Sequence, residues 1–183
     1  MLKRLLFLIL LASSASVFGQ GKYIAKNEYI SFFSSTPMEN ILGESNEAVT
    51  ILDASNGKVV SQALMTTFHF KRALMEEHFN ENYMESTKFP KGKFEGTIVG
   101  FNKDMLTSPV SNIQITGQLS LHGIEKTITV PGTIGLENGK LVATSKFQVV
   151  PEDYGIEIPS LVRDKIAKQM DITVKANYIP LEK

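Results

Sequence analysis

No cysteine occurs anywhere in the 183 residues, and that one absence closes off several chemistries. A thiol nucleophile, a zinc–thiolate centre and a thiolate-bound iron–sulfur cluster are excluded. So are disulfides, which leaves a core as the source of stability in a chain long enough to build one. Charge of one sign is lacking too, since 19 Lys and Arg balance 19 Asp and Glu. With no basic run and no basic residues interleaved with aromatics, nucleic acid and anionic membrane surfaces have nothing to hold. The Gly-x-Ser-x-Gly elbow, the Gly-Lys-Ser/Thr phosphate loop and the Gly-x-Gly-x-x-Gly fingerprint are missing, which removes the common hydrolase, nucleotide and dinucleotide signatures.

Long apolar runs are equally scarce. The run Leu5 to Leu11 follows Lys3 and Arg4, precedes small residues, and leaves Val17 and Gly19 placed for cleavage before Gln20. It falls well short of the roughly 18 residues of a spanning helix. That order marks residues 1–19 as a signal peptide and residues 20–183 as a single exported domain. No later stretch is long and apolar enough to cross a bilayer, and no cysteine stands at the cleavage site to carry a lipid. The mature protein is therefore expected to be soluble, not membrane-embedded, and to work in the periplasm or outside the cell. Loss of Lys3 and Arg4 leaves it with an excess of two acidic groups.

What is present in quantity is alternation. Met170, Ile172, Val174, Ala176 and Tyr178 alternate with Asp171, Thr173, Lys175 and Asn177, as in a half-buried strand. Ile113 to Leu121 behaves the same way, and His122-Gly123 joins it to a second β-rich run, Lys126 to Ile134, as a hairpin. Asn138-Gly139 leads into Leu141 to Val149, and Asn56-Gly57 separates Glu47 to Leu52 from Val59 to Phe70. Asn-Gly suits a type I′ turn, where both central residues need positive φ. Tyr29 to Ser34 and Lys93 to Phe101 bring the number of strands to about eight, antiparallel because their connections are short.

Two segments break this pattern. Arg72 to Asn80 is rich in helix formers, with Leu74, Met75, His78 and Phe79 at helical spacing, and predicts a short amphipathic helix. Pro159 to Ala167 opens with a proline suited to a first turn, carries Leu161, Val162 and Ile166 on one side, and predicts a second. The fold class is thus all-β with one or two short helices, closed as a barrel or paired as a sandwich. An eight-stranded barrel has an interior that side chains can fill or that one small ligand can occupy.

Polar constellations do not compete with that interior. His69, His78 and His122 fall on a strand, a helix and a turn without ligand-like spacing, so no metal and no cofactor are expected. They read instead as a solvent-facing residue, a helix residue and a turn residue. Glu76-Glu77, Glu152-Asp153 and Glu81/Glu85 sit among polar neighbours and read as solvated surface rather than an acid–base pair. Bulky apolar residues are more abundant than the short strands need, although core filling accounts for any one of them alone.

Taken in order, the chain resembles the YceI-like domain family over essentially its whole mature length. The resemblance lies in Ile30-Ser-Phe-Phe-Ser-Ser-Thr-Pro37, Phe68-x-Phe70, Met75-Glu-Glu-His-Phe79 and Tyr83-Met-Glu-Ser-Thr-Lys-Phe-Pro90, and most specifically in Gly117-Gln-Leu-Ser-Leu-His-Gly-Ile-Glu-Lys-Thr-Ile128. It implies an eight-stranded, antiparallel, lipocalin-like β-barrel that holds an isoprenoid or other amphiphilic lipid. Of the family's helix motif Arg-Asp-x-His-Leu only His78 is unchanged; Met75 stands for the arginine, Glu76 for the aspartate and Phe79 for the leucine. The exchange of Arg for Met implies a less acidic or wholly apolar ligand.

The sequence thus predicts an exported carrier, not an enzyme, whose partner is an apolar small molecule such as an isoprenoid or fatty-acid-like lipid. Inward positions are assigned to Ile30, Phe32, Leu64, Phe68, Phe70, Phe94, Ile115 and Leu119, with Leu74, Met75, Phe79 and Met84 over the barrel mouth. The alternative is an envelope module with a packed core and no small ligand, and a homodimer is left open. A cavity distinguishes carrier from packed module, and a buried ionisable cluster beside it would point to an enzyme.

Overall fold

The computed structural model describes residues 21–181, so the expected signal peptide and its cleavage site lie outside the described residues. The chain forms β1 (Lys22–Ser35), β2 (Asn40–Asp53), β3 (Lys58–Leu64) and the two-residue β4 (His69–Phe70). Helix α1 (Ala73–His78) follows, then β5 (Lys91–Ile98), β6 (Ser111–Leu121), β7 (Ile124–Glu137), β8 (Lys140–Val149) and β9 (Met170–Pro180). All ladders are antiparallel in the order β1-β9-β8-β7-β6-β5-β3-β2, and β2 pairs back onto β1. Eight strands therefore close a barrel with no free edge, as expected from their number and short turns. β4 lies outside that ring and extends the rim, pairing with Gly43 and Glu44 of β2 above the point where β3 leaves it.

The tight turns follow from left-handed backbone. His122 and Gly123 have φ of 50° and 77°, and Asn138 and Gly139 have 50° and 76°, the two-residue arrangement that matches strand twist. The turn at Asn56-Gly57 differs from the expected type I′, because only Gly57 is left-handed and its amide donates to the Asp53 carbonyl at 2.8 Å. Asp53 pairs with Lys58, so four residues make the turn.

Three expected boundaries move. The single strand expected from Val59 to Phe70 ends at Leu64, where the chain makes a 3-10 turn at Met65–Thr67. The first helix stops at His78 and continues as a wider π turn, Phe79–Tyr83, which turns Phe79 and then Met84 into the interior. The second expected helix is only a 3-10 turn, Ser160–Val162, and Leu161 is 91% exposed. Here the Ala167 amide donates to Ser34 Oγ at 2.9 Å, so the segment is tied to β1 rather than wound on itself.

The two ends of the barrel differ. The long connections, residues 65–90 and 150–169, lie at one end together with the short turns after β1 and β6. At the other end Leu52, Ala54, Ile98, Ile113, Ile134 and Leu141 pack together, joined by Leu106 from the β5–β6 connection. That end is closed by a solid apolar plug. Gly117 shows how closely neighbouring strands approach in the wall, for a Cβ there would lie 2.2 Å from the Glu95 carbonyl oxygen.

Candidate ligand-binding cavity

Above the plug the barrel is hollow. The cavity has a volume of about 540 Å³, within the range of small-molecule sites, and its wall is overwhelmingly apolar. Tyr178, Val59 and Ala176 belong both to the plug and to the cavity wall, so they form its floor. At the opposite end the wall includes Leu74, Met75 and His78 of α1 and Ile166 of the 150–169 connection, which frame the mouth.

An aromatic cluster shapes the upper wall. Phe32 of β1 stacks on Phe79 at 5.3 Å between ring centres, and Phe68 and Phe70 lie 5.6 and 5.1 Å from the same Phe79 ring. Offset aromatic contacts of this kind add to the stabilisation from burial alone. Gly43 makes the cluster possible, since a Cβ there would lie 2.4 Å from the Phe32 ring and 2.9 Å from that of Phe70.

The residues assigned inward from the sequence are placed as follows. Ile30, Phe32, Phe94, Ile115 and Leu119 line the barrel wall, and Phe68 and Phe70 line it near the rim. Leu74, Met75, Phe79 and Met84 line the mouth side. Leu64 is not on the wall and is 40% exposed. In β3 the inward parity belongs to Val59, Ser61 and Ala63 and passes to Met65, so Leu64 falls on the outer face. Met65, Leu121, Ile156 and Ile158, outside the positions that alternation assigns, also line the cavity; the last two sit in an irregular segment without period-two alternation.

At the mouth, Met75 occupies the wall where the family motif has arginine, yet a guanidinium is near. The side chain of Arg72, just before α1, reaches the Met75 sulfur at 3.6 Å and forms an ion pair with Glu39 of the β1–β2 turn. Its charge is thereby offset. His69 is solvent-exposed beside Glu76, and His122 bridges the Glu85 carboxylate at 2.9 Å and the Tyr154 carbonyl at 3.1 Å, clamping two mouth-side connections together. Among the described residues no group of three or more His, Cys, Asp or Glu is close enough to hold a metal ion.

The YceI-like domain model matches residues 24–178, which is almost the whole barrel. The chain belongs to the YceI-like domain family. No curated protein matches it. Among solved structures, a polyisoprenoid binding domain from Saccharophagus degradans implicated in plant cell wall breakdown is similar with a TM-score of 0.74 at 11% identity, covering 89% of this chain and 100% of that one. BcnA of Burkholderia cenocepacia has a TM-score of 0.67 at 14% identity, covering 83% and 96%. A Campylobacter jejuni YCEI protein has a TM-score of 0.56 at 13% identity, covering 75% and 81%. At these identities the likeness establishes the shared fold. Within this YceI-like barrel, one residue of the inner wall carries a buried carboxyl.

That residue is Glu28. It is 2% exposed, lines the cavity, and receives a hydrogen bond from the Thr50 hydroxyl. Burial pushes its pKa up from 4.5 to about 7, with the Thr50 bond pulling the other way. The Tyr178 phenol on the floor is held above its ordinary value by burial, and then by the nearby Glu28 carboxyl. Glu28 reaches the interior through a bulge. The β1–β2 register shifts between Ala25 and Glu28, and Asn27 takes φ of 56°. Lys26 and Asn27 both face out, so the inward parity of Tyr23 and Ala25 moves to Glu28, Ile30, Phe32 and Ser34. Simple alternation cannot reveal such a residue, and only the left-handed preference of Asn27 hinted at it.

Proposed function

We propose that this chain is an exported binding protein that holds one isoprenoid or other lipid-like apolar molecule inside its barrel. The observation that carries the reading is the apolar cavity of about 540 Å³ above a closed floor. A chain withdrawn into it gains about 25 cal/mol for each Å² of apolar surface removed from water. A barrel meant only as a packed module would fill this space with side chains, since interiors are packed to crystal-like density. The similar fold of the Saccharophagus degradans polyisoprenoid binding domain supports the choice of cargo class. The Met75 wall and the internally paired Arg72 favour a cargo that is less acidic or wholly apolar.

The reading needs no catalytic step. Glu28 is the buried carboxyl of the cavity, and Tyr178 beside it stays protonated through the ordinary pH range, so the pair offers no complementary acid and base. Among the described residues no helix is long and apolar enough to cross a membrane. The order of Lys3, Arg4 and the Leu5–Leu11 run supports export to the periplasm or beyond.

Native mass spectrometry of protein purified from its own kind of host, followed by solvent extraction and lipid analysis, tests the proposal. A stoichiometric apolar adduct is expected, and the same spectrum reads whether the chain is a monomer or a homodimer. A clean apo mass, from protein that also refuses added isoprenoids and fatty acids, would replace the carrier with an interaction module.

A further inference from the structure

The cavity has a polar point at its deepest level, and that point has the makings of a recognition site. Glu28 and Tyr178 line the floor region, and Thr50 joins them on the wall from β2. The Thr50 hydroxyl is committed to one carboxyl oxygen of Glu28, and no described hydrogen bond uses the other oxygen or the Tyr178 phenol. Yet no side-chain polar atom among the described residues is both sealed from all space and without a partner. The uncommitted oxygens therefore keep some accessible surface, and both residues line the cavity. Buried polar groups are almost always satisfied, and here the satisfying partner has to come from what fills the space.

The geometry points to a head-first cargo: an amphiphile whose uncharged polar terminus, a hydroxyl or carbonyl, is held at the floor by Glu28, Thr50 and Tyr178 while its apolar chain extends up to the mouth. The inference rests on the carrier reading and specifies its cargo. A wholly apolar molecule would cover Glu28 and Tyr178 without replacing their lost water, a penalty that a terminal hydroxyl avoids. An anionic terminus would place a second negative group beside a buried carboxyl, where low polarity magnifies repulsion. The bulge at Lys26-Asn27 supports a dedicated role, for it departs from regular pairing at the point that aims this carboxyl inward.

The electrostatic surroundings are simple enough to make the pH dependence specific. Of the strands flanking Glu28, β2 presents Thr50 and β9 presents Tyr178. Across the cavity β3, β6, β7 and β8 present Ser61, Ile115, Val130 and Ser145, none of which ionises. The charged residues of the wall, Glu39, Arg72, His78 and Lys165, belong to the mouth, and Lys93 pairs outward with Glu95. Covering Glu28 with cargo requires its protonated form. With a free-state value of about 7, the apparent affinity should fall by about 30-fold between pH 5.5 and pH 8.5.

The test uses lipid-stripped protein and three probes, hexadecan-1-ol, hexadecane and hexadecanoate, each displacing the neutral dye N-phenyl-1-naphthylamine at pH 5.5 and 8.5. Wild type is expected to prefer the alcohol over the alkane by about tenfold at pH 5.5 and to bind hexadecanoate least well at pH 8.5. Glu28→Gln should keep the preference for the alcohol and lose the pH dependence, whereas Glu28→Leu should lose both. With hexadecan-1-ol carrying ¹³C at C1, nuclear Overhauser contacts should run from C1 to the Thr50 methyl and the Tyr178 ring. Contacts from C1 to Phe70 and Leu74 at the mouth, or equal affinity for alcohol and alkane in wild type, would overturn the inference and leave the carrier reading standing. Failure of every probe to displace the dye would overturn both.

Discussion

Replacing Glu28 by glutamine should make the protein's stability less sensitive to pH, and the size of the change follows from burial. The unfolded chain holds this carboxyl near 4.5, and the folded barrel raises it to about 7. Because the folded value is the higher one, the folded state holds the extra proton between these limits. Its contribution is complete below about pH 4.5 and is lost as pH rises through about 7. A difference of this size corresponds to about 3 kcal/mol across the window, or about 10 °C in Tm for a domain of this length. Exposed groups such as Asp53, whose pKa is lowered mainly by its bond from Ser55, titrate identically in both proteins and cancel. The assay is urea unfolding of wild type and Glu28→Gln at half-unit steps from pH 4 to pH 8.5, in the absence of lipid. The stability difference should grow in favour of the variant as pH rises and level off above about pH 8. Parallel curves would show that Glu28 is not buried as a titrating group and would remove the basis for a polar floor.

Other expectations are simpler. Ser61→Phe adds an aromatic ring to the cavity wall, so dye uptake should fall at least about tenfold while Tm changes by only a few degrees. Phe79→Ala removes the ring on which Phe32, Phe68 and Phe70 converge and should cost about 3–5 kcal/mol in urea unfolding, with faster dye release from a slackened mouth. Gly117→Ala drives a methyl group into the Glu95 backbone and should destabilise by about 1–3 kcal/mol. An unchanged unfolding midpoint in either of the last two variants would contradict the packing described for it.

The barrel was legible because antiparallel strands with one wet face write their geometry in alternating residues, and because His122-Gly123 and Asn138-Gly139 mark turns by the backbone they demand. The chain's own bends broke the reading. β2 begins at Asn40, seven residues before the apolar alternation starts at Glu47, because its upper part is held by pairing with β1 and carries polar residues on both faces. Alternation carried through a continuous Val59–Phe70 strand puts Leu64 inward, whereas Met65 takes the inward place as the chain turns. Leu161, Val162 and Ile166 have helical spacing, but Val162 and Ile166 reach the cavity from a turn and Leu161 points away from it. Glu28 was hidden for the opposite reason: it looks like one more surface carboxylate until the bulge before it is known.

The plug built from Leu52, Ile134 and their neighbours has a kinetic meaning as well as a structural one. A tube sealed at one end returns its contents by the way they came. No molecule can thread through it from a donor on one side to an acceptor on the other, and a newcomer cannot expel the occupant from behind. Departure must come before arrival, so the lifetime of the filled state is set by the mouth alone and is indifferent to how much competing lipid waits outside.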